Sequence, residues 1–153
     1  MTTTQENARP LPLIGQSVGQ AQATLSRLLA GILAESGTSY QAWLGLQRLN
    51  ALGGQPARHA YERDLSEWLL LDGQAAARLA GDLVTAGLAA ASGGTIALTD
   101  AGRGLRQDVL AASARVTGPV LATVDHGDLE TTIRTLDEIT RRVRETFGTE
   151  ASR

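Results

Sequence analysis

The chain has 153 residues, 42% of them hydrophobic, and a formal net charge of −2. That is enough for one domain with a core and short for two, and the charge fits neither a disordered acidic tail nor a strongly basic nucleic-acid coat. It has no cysteine, and all 14 basic residues are arginine, which excludes disulfides, thiolate chemistry, Schiff-base lysines and a P-loop lysine. The two histidines, His59 and His126, lack metal-ligand spacing, so neither a metal nor a cofactor is expected. No apolar run approaches the roughly 18 residues that cross a bilayer. The stretch from Met1 to Pro12 has no signal-peptide pattern. The expectation is a cytoplasmic protein without a membrane partner.

Residues 1 to 11 are polar and read as a flexible tail. From there Ile14, Val18, Ala21, Leu25, Leu28 and Ile32 recur in steps of three and four, which predicts an amphipathic helix over 12–35. Ser39 is placed to cap a second helix with Ala42, Leu46, Leu49 and Leu52 on one face. Gly53-Gly54-Gln55-Pro56 ends it. A third helix spans about 57 to 70, and Asp72 caps a fourth that ends at Gly87. On the fourth, Ala76, Leu79 and Leu83 face inward, with Gln74, Arg78, Gly81 and Thr85 opposite. Residues 89 to 98, with Gly93-Gly94 at their centre, read as a β-hairpin. Thr99 caps a fifth helix carrying Leu105, Val109, Ala112, Val116 and Val120, which Gly118-Pro119 should kink. The turn Asp125-His126-Gly127-Asp128 leads into a sixth helix, striped by Leu129, Ile133, Leu136, Ile139, Val143 and Phe147. Residues 148 to 153 read as a second tail.

The predicted fold is mainly α: a winged helix-turn-helix core with one short β-hairpin, flanked by long N- and C-terminal helices. The segment from Leu65 to Leu88 resembles, without a gap, the helix-turn-recognition-helix of the MarR family of bacterial regulators. Leu98-Thr99-Asp100-Ala101-Gly102-Arg103 resembles that family's LTxxGR opening of helix 5. The resemblance implies a single domain over 12–147, with dimerisation helices at 12–35 and 99–147 around a winged helix-turn-helix at 39–98. It further implies a homodimer, a recognition helix for double-stranded DNA, and a small-molecule pocket between the dimerisation and winged-helix regions. Independently, two long terminal helices have more apolar face than a small core can cover; their packing on each other is the alternative.

On the recognition helix, Gln74 can pair bidentately with adenine and Arg78 with guanine. Ala75 and Ala77 stand at DNA-facing positions where family members place hydroxyl side chains, and Arg103 can add positive charge at the start of helix 5. The alternative for Gln74 and Arg78 is a solvated helix face. Phosphate neutralisation requires basic residues, yet residues 57–88 hold three arginines against five carboxylates. The hairpin has no charged residue and lacks the arginine that the family's wing inserts into the minor groove.

Candidate ligand-binding residues are Tyr40, Trp43, His59 and Trp68. Tyr40 and Trp43 lie at i and i+3 near the pocket the resemblance implies, and tryptophans packed in a core are the alternative. His59 can meet Glu62 or Arg63 on one helical face, an arrangement open to proton transfer or to simple solvation; His126 reads as exposed. Gly15-Gln16-Ser17-Val18-Gly19 matches GxSxG, but a nucleophile elbow needs a strand before the serine, so no catalytic residue is assigned. Glu130/Arg134, Asp137/Arg141 and Glu138/Arg142 read as surface ion pairs. Two functions stay open: a ligand-responsive DNA-binding regulator, or the same fold without DNA binding, acting as a small-molecule-binding protein or small enzyme.

Overall fold

In a computed structural model, residues 12–147 are described. Six helices and one hairpin follow in order: α1 Pro12–Glu35, α2 Tyr40–Ala51, α3 Arg58–Leu69, α4 Gly73–Thr85, β1 Ala89–Ser92, β2 Thr95–Leu98, α5 Asp100–Leu121 and α6 His126–Phe147. The chain gathers into two compact units, Met1–Ser113 and Ala114–Arg153, with the boundary inside α5.

In the first unit the helix ends are set by side chains placed to catch free backbone N–H groups. Ser39 Oγ accepts from the Ala42 amide at 3.1 Å, and Asp72 Oδ1 accepts from the Ala75 amide at 2.7 Å. The hairpin turns on Gly93 and Gly94, with φ of 56° and 79°, the paired left-handed geometry that two-residue hairpins favour and side chains resist. Ser92 pairs with Thr95 across that turn, and Ala89 with Leu98 at the far end.

One pairing is absent from the sequence expectation. The stretch 54–57 runs alongside β2 without forming a strand of its own: Leu98 donates to the Gly54 carbonyl at 2.8 Å, Ile96 to that of Pro56 at 3.1 Å, and Arg58 to that of Gly94 at 2.9 Å. Ala57 and Thr95 form the antiparallel bridge.

The core collects Leu46 and Leu49 of α2, Tyr61 and Leu65 of α3, the inward face of α4, and Ala89, Ile96 and Leu98 of the hairpin. Gly45 lets α2 approach closely. A Cβ there would stand 3.0 Å from Leu83 Cδ1 and 3.1 Å from the Tyr61 hydroxyl, which donates to the Gly45 carbonyl at 2.8 Å. A second cluster joins Leu33, Trp43 and Val109, with Leu29, Ile32, Leu44 and Leu105 beside them. The stripe read along α1 therefore enters the core only at its C-terminal end. Ile14, Val18 and Leu25 are exposed, and the buried residue is Leu33, which that stripe omits. The GxSxG match lies on the exposed, helical part of α1.

Within the second unit, the end of α5 stays helical across Pro119, and α6 leaves Ile133, Leu136, Ile139 and Val143 exposed. Its ion pairs differ from those read in the sequence. Glu138 accepts from Arg141 and Arg142, Arg141 also reaches Glu145 at 2.6 Å, and Glu130 meets His126 at 3.3 Å. Only Glu138/Arg142 forms as expected; a central carboxylate with arginines three and four residues on gathers both. The two guanidiniums hold the Glu138 carboxyl well down, to about 2.

Candidate nucleic-acid interface

The α3–α4 pair forms a helix-turn-helix because the chain reverses within three residues. Leu70 closes α3 in the left-handed conformation, φ 53°, and Asp72 opens α4. Burial of Ala76, Leu79, Ala80 and Leu83 turns the opposite face of α4 outward. Gln74 and Arg78 lie exposed on that face, one turn apart, and neither makes a hydrogen bond or ion pair with another described residue. Two long polar side chains are thus left free to meet an external surface. Ala75 and Ala77 flank them, half-buried.

Arg103 has a different setting. One guanidinium nitrogen donates to the Leu98 carbonyl at 2.7 Å and another to Asp100 at 2.6 Å. These bonds tie the start of α5 to the end of β2. The surrounding motif explains itself: Thr99 Oγ1 donates to the Gly87 carbonyl at 2.7 Å and accepts from the Gly102 amide at 3.0 Å, while Leu98 is buried.

The acidic balance of this surface is milder than the count over 57–88 suggests, because that window leaves out Arg48 of α2. Arg48 grips Asp64 with two hydrogen bonds, 2.8 and 2.7 Å, the paired geometry that guanidinium and carboxylate favour. The contact raises the affinity of Arg48 for its proton. Glu62 is held by Arg58 at 2.8 Å, and Asp72 is spent on the helix cap. Arg63 and Arg78, with Glu67 and Asp82, remain outside these pairs. The wing adds nothing to the charge: residues 89–98 are small or apolar apart from Ser92 and Thr95.

The four ligand candidates fall in separate settings. Trp43 is buried with Leu33 and Val109, Tyr40 is exposed at the start of α2, and His59 is exposed on α3. Trp68 lies under the Arg48 guanidinium, 4.0 Å from ring centroid to carbon. Such a contact is attractive between a cation and an aromatic face, and it sets Trp68 beside the Arg48–Asp64 pair. His59 does not hold Glu62, which Arg58 has taken. Sequence reasoning missed Arg48 and also the bridge from Arg106 of α5 to Gln47 of α2 at 2.5 Å. Both pairs span elements far apart in the chain, so local spacing carried no signal for them.

No protein-family model and no curated protein matches the sequence. Solved structures do match the fold. The organohalide-sensing RdhR transcriptional regulator, in its ligand-free form, superposes with a TM-score of 0.71 at 16% identity, over 96% of this chain and 89% of that one. CouR from Rhodococcus jostii RHA1, bound to p-coumaroyl-CoA, gives 0.68 at 18% identity, over 82% and 90%. A MarR family protein from Bacillus stearothermophilus gives 0.70 at 18% identity, over 87% and 94%.

Proposed function

We propose that this chain, which has the winged-helix fold of the MarR regulators, is a homodimeric DNA-binding transcriptional regulator that responds to a small hydrophobic or aromatic ligand. The observation that carries the reading is the unpaired Gln74 and Arg78 on the outward face of α4. In a helix-turn-helix the second helix enters the major groove, where an amide suits adenine and a guanidinium suits guanine. Exposed Ile14, Val18 and Leu25 on α1, and Ile133, Leu136, Ile139 and Val143 on α6, support the assignment of 12–35 and 99–147 to dimerisation, since apolar stripes of this length are normally covered. Among the described residues no helix is long and apolar enough to cross a membrane.

An aromatic effector is the class suggested by the neighbours, since RdhR has also been solved with 2,4-dichlorophenol and CouR with p-coumaroyl-CoA. Tyr40 and Trp43 of α2 are the residues proposed to sense it. Quenching of tryptophan emission by chlorophenols, compared with Trp43→Phe, tests this; an unchanged response in the variant removes Trp43 from the site. The DNA reading is tested by the salt dependence of duplex binding, which falls steeply when phosphates are neutralised.

The uncharged Gly93-Gly94 wing and the internal bonds of Arg103 favour a second reading, a ligand-binding protein or small enzyme on the same fold. Duplex binding that stays absent at low salt supports that alternative.

A further inference from the structure

We infer that His59 and Arg63 form a clamp for the phosphate backbone of duplex DNA, an inference that rests on the DNA-binding reading above. Both residues are exposed on α3, four positions apart, and neither makes a hydrogen bond or ion pair with another described residue. Side chains at that spacing stand on one face with Cβ atoms about 5–6 Å apart, close enough to engage one phosphate or two neighbouring ones.

Two of the three carboxylates near them are occupied. Glu62 is held by Arg58, and Asp64 faces the other side of α3, where Arg48 holds it. The elements packed against the N-terminal end of α3, residues 54–57 and the Gly93–Gly94 turn, contain no charged residue before Arg58 itself. Glu67 is the remaining acid on this stripe, one turn beyond Arg63 and about 12 Å along the axis from His59. The N-terminal half of the outer face of α3 is therefore positive.

Its place in the fold fits the same partner. The first helix of a helix-turn-helix crosses the DNA backbone while the second reads bases, and α3 is that first helix. A wing without arginine leaves the phosphate contacts to other elements. Arg63 supplies a permanent charge, and His59 adds a ring N–H that can donate to a phosphate oxygen.

The test uses the full chain and a fluorescent 30-base-pair duplex of mixed sequence, titrated from low to moderate NaCl at one fixed pH. Each phosphate neutralised adds about 0.9 to the slope of log affinity against log salt. Arg63→Ala is expected to lose about that much, and Arg63→Lys to keep it. His59→Ala is expected to weaken duplex binding about 2- to 10-fold at low salt by losing one hydrogen bond, and His59→Gln, which keeps a donor, to recover part of it. A wild-type slope in Arg63→Ala, or wild-type affinity in His59→Ala, overturns the clamp while leaving DNA binding intact. Absence of duplex binding by wild type at low salt overturns the DNA-binding reading and the clamp with it.

Discussion

Gly102 stands directly against the carbonyl of Leu88: a Cβ at position 102 would lie 2.2 Å from that oxygen and 3.2 Å from Leu98 Cδ1. The glycine of the LTxxGR segment thus serves packing, because α5 can start against the wing only where a side chain is absent. Gly102→Ala is expected to destabilise the fold by about 3 kcal/mol, the upper range for forcing an extra carbon into a packed site. Gly104→Ala, two residues on with open space around it, is expected to stabilise by about 0.5–1 kcal/mol through helix propensity. Urea unfolding of the two variants makes the comparison.

Tyr61 sets an alkaline limit on stability. Burial, with Asp64 nearby as the lesser cause, pushes its phenol well above the usual tyrosine range. The folded state therefore holds a proton that the unfolded chain releases above about pH 10, and stability falls as pH rises past that point, by up to about 1.4 kcal/mol per pH unit. Tyr61→Phe is expected to cost about 1 kcal/mol at pH 7 by losing the bond to the Gly45 carbonyl. It is also expected to remove this residue's share of the alkaline loss, read from unfolding midpoints between pH 7 and 11.

Leu70 is a strained and wasted leucine: it is 90% exposed and left-handed at φ 53°. A side chain with a Cβ costs roughly 1–2 kcal/mol in that conformation, and glycine removes the clash. Leu70→Gly is expected to raise stability by about 1 kcal/mol in thermal unfolding. Little burial is lost with the side chain, and the freedom that glycine adds to the unfolded chain offsets only part of the gain.

The helices and the hairpin were legible because each has a local signal. Apolar steps of three and four marked α1, α2, α4, α5 and α6, Ser39 and Asp72 marked starts, and Gly93-Gly94 marked the turn. What the sequence hid is the pairing across distance. The stretch 54–57 has no β pattern of its own and pairs only because β2 offers it an edge. The Arg48–Asp64 and Gln47–Arg106 bridges join residues 16 and 59 positions apart. For the same reason the acidity of the α3–α4 surface was overstated, since its neutralising arginine comes from α2. The outward placement of Gln74 and Arg78 was readable from helical spacing alone. The separation of Tyr40, Trp43, His59 and Trp68 into four settings was not, because it depends on how α2 and α3 pack.

Duplex binding by wild type and Arg78→Ala, measured against a sequence selected from a randomised pool and against a scrambled control, tests the central claim most directly. The account predicts salt-sensitive binding by wild type that discriminates the two duplexes, and a loss of about 1–3 kcal/mol of that discrimination in Arg78→Ala. Selection that yields no preferred duplex, or a variant that discriminates as wild type does, would contradict it.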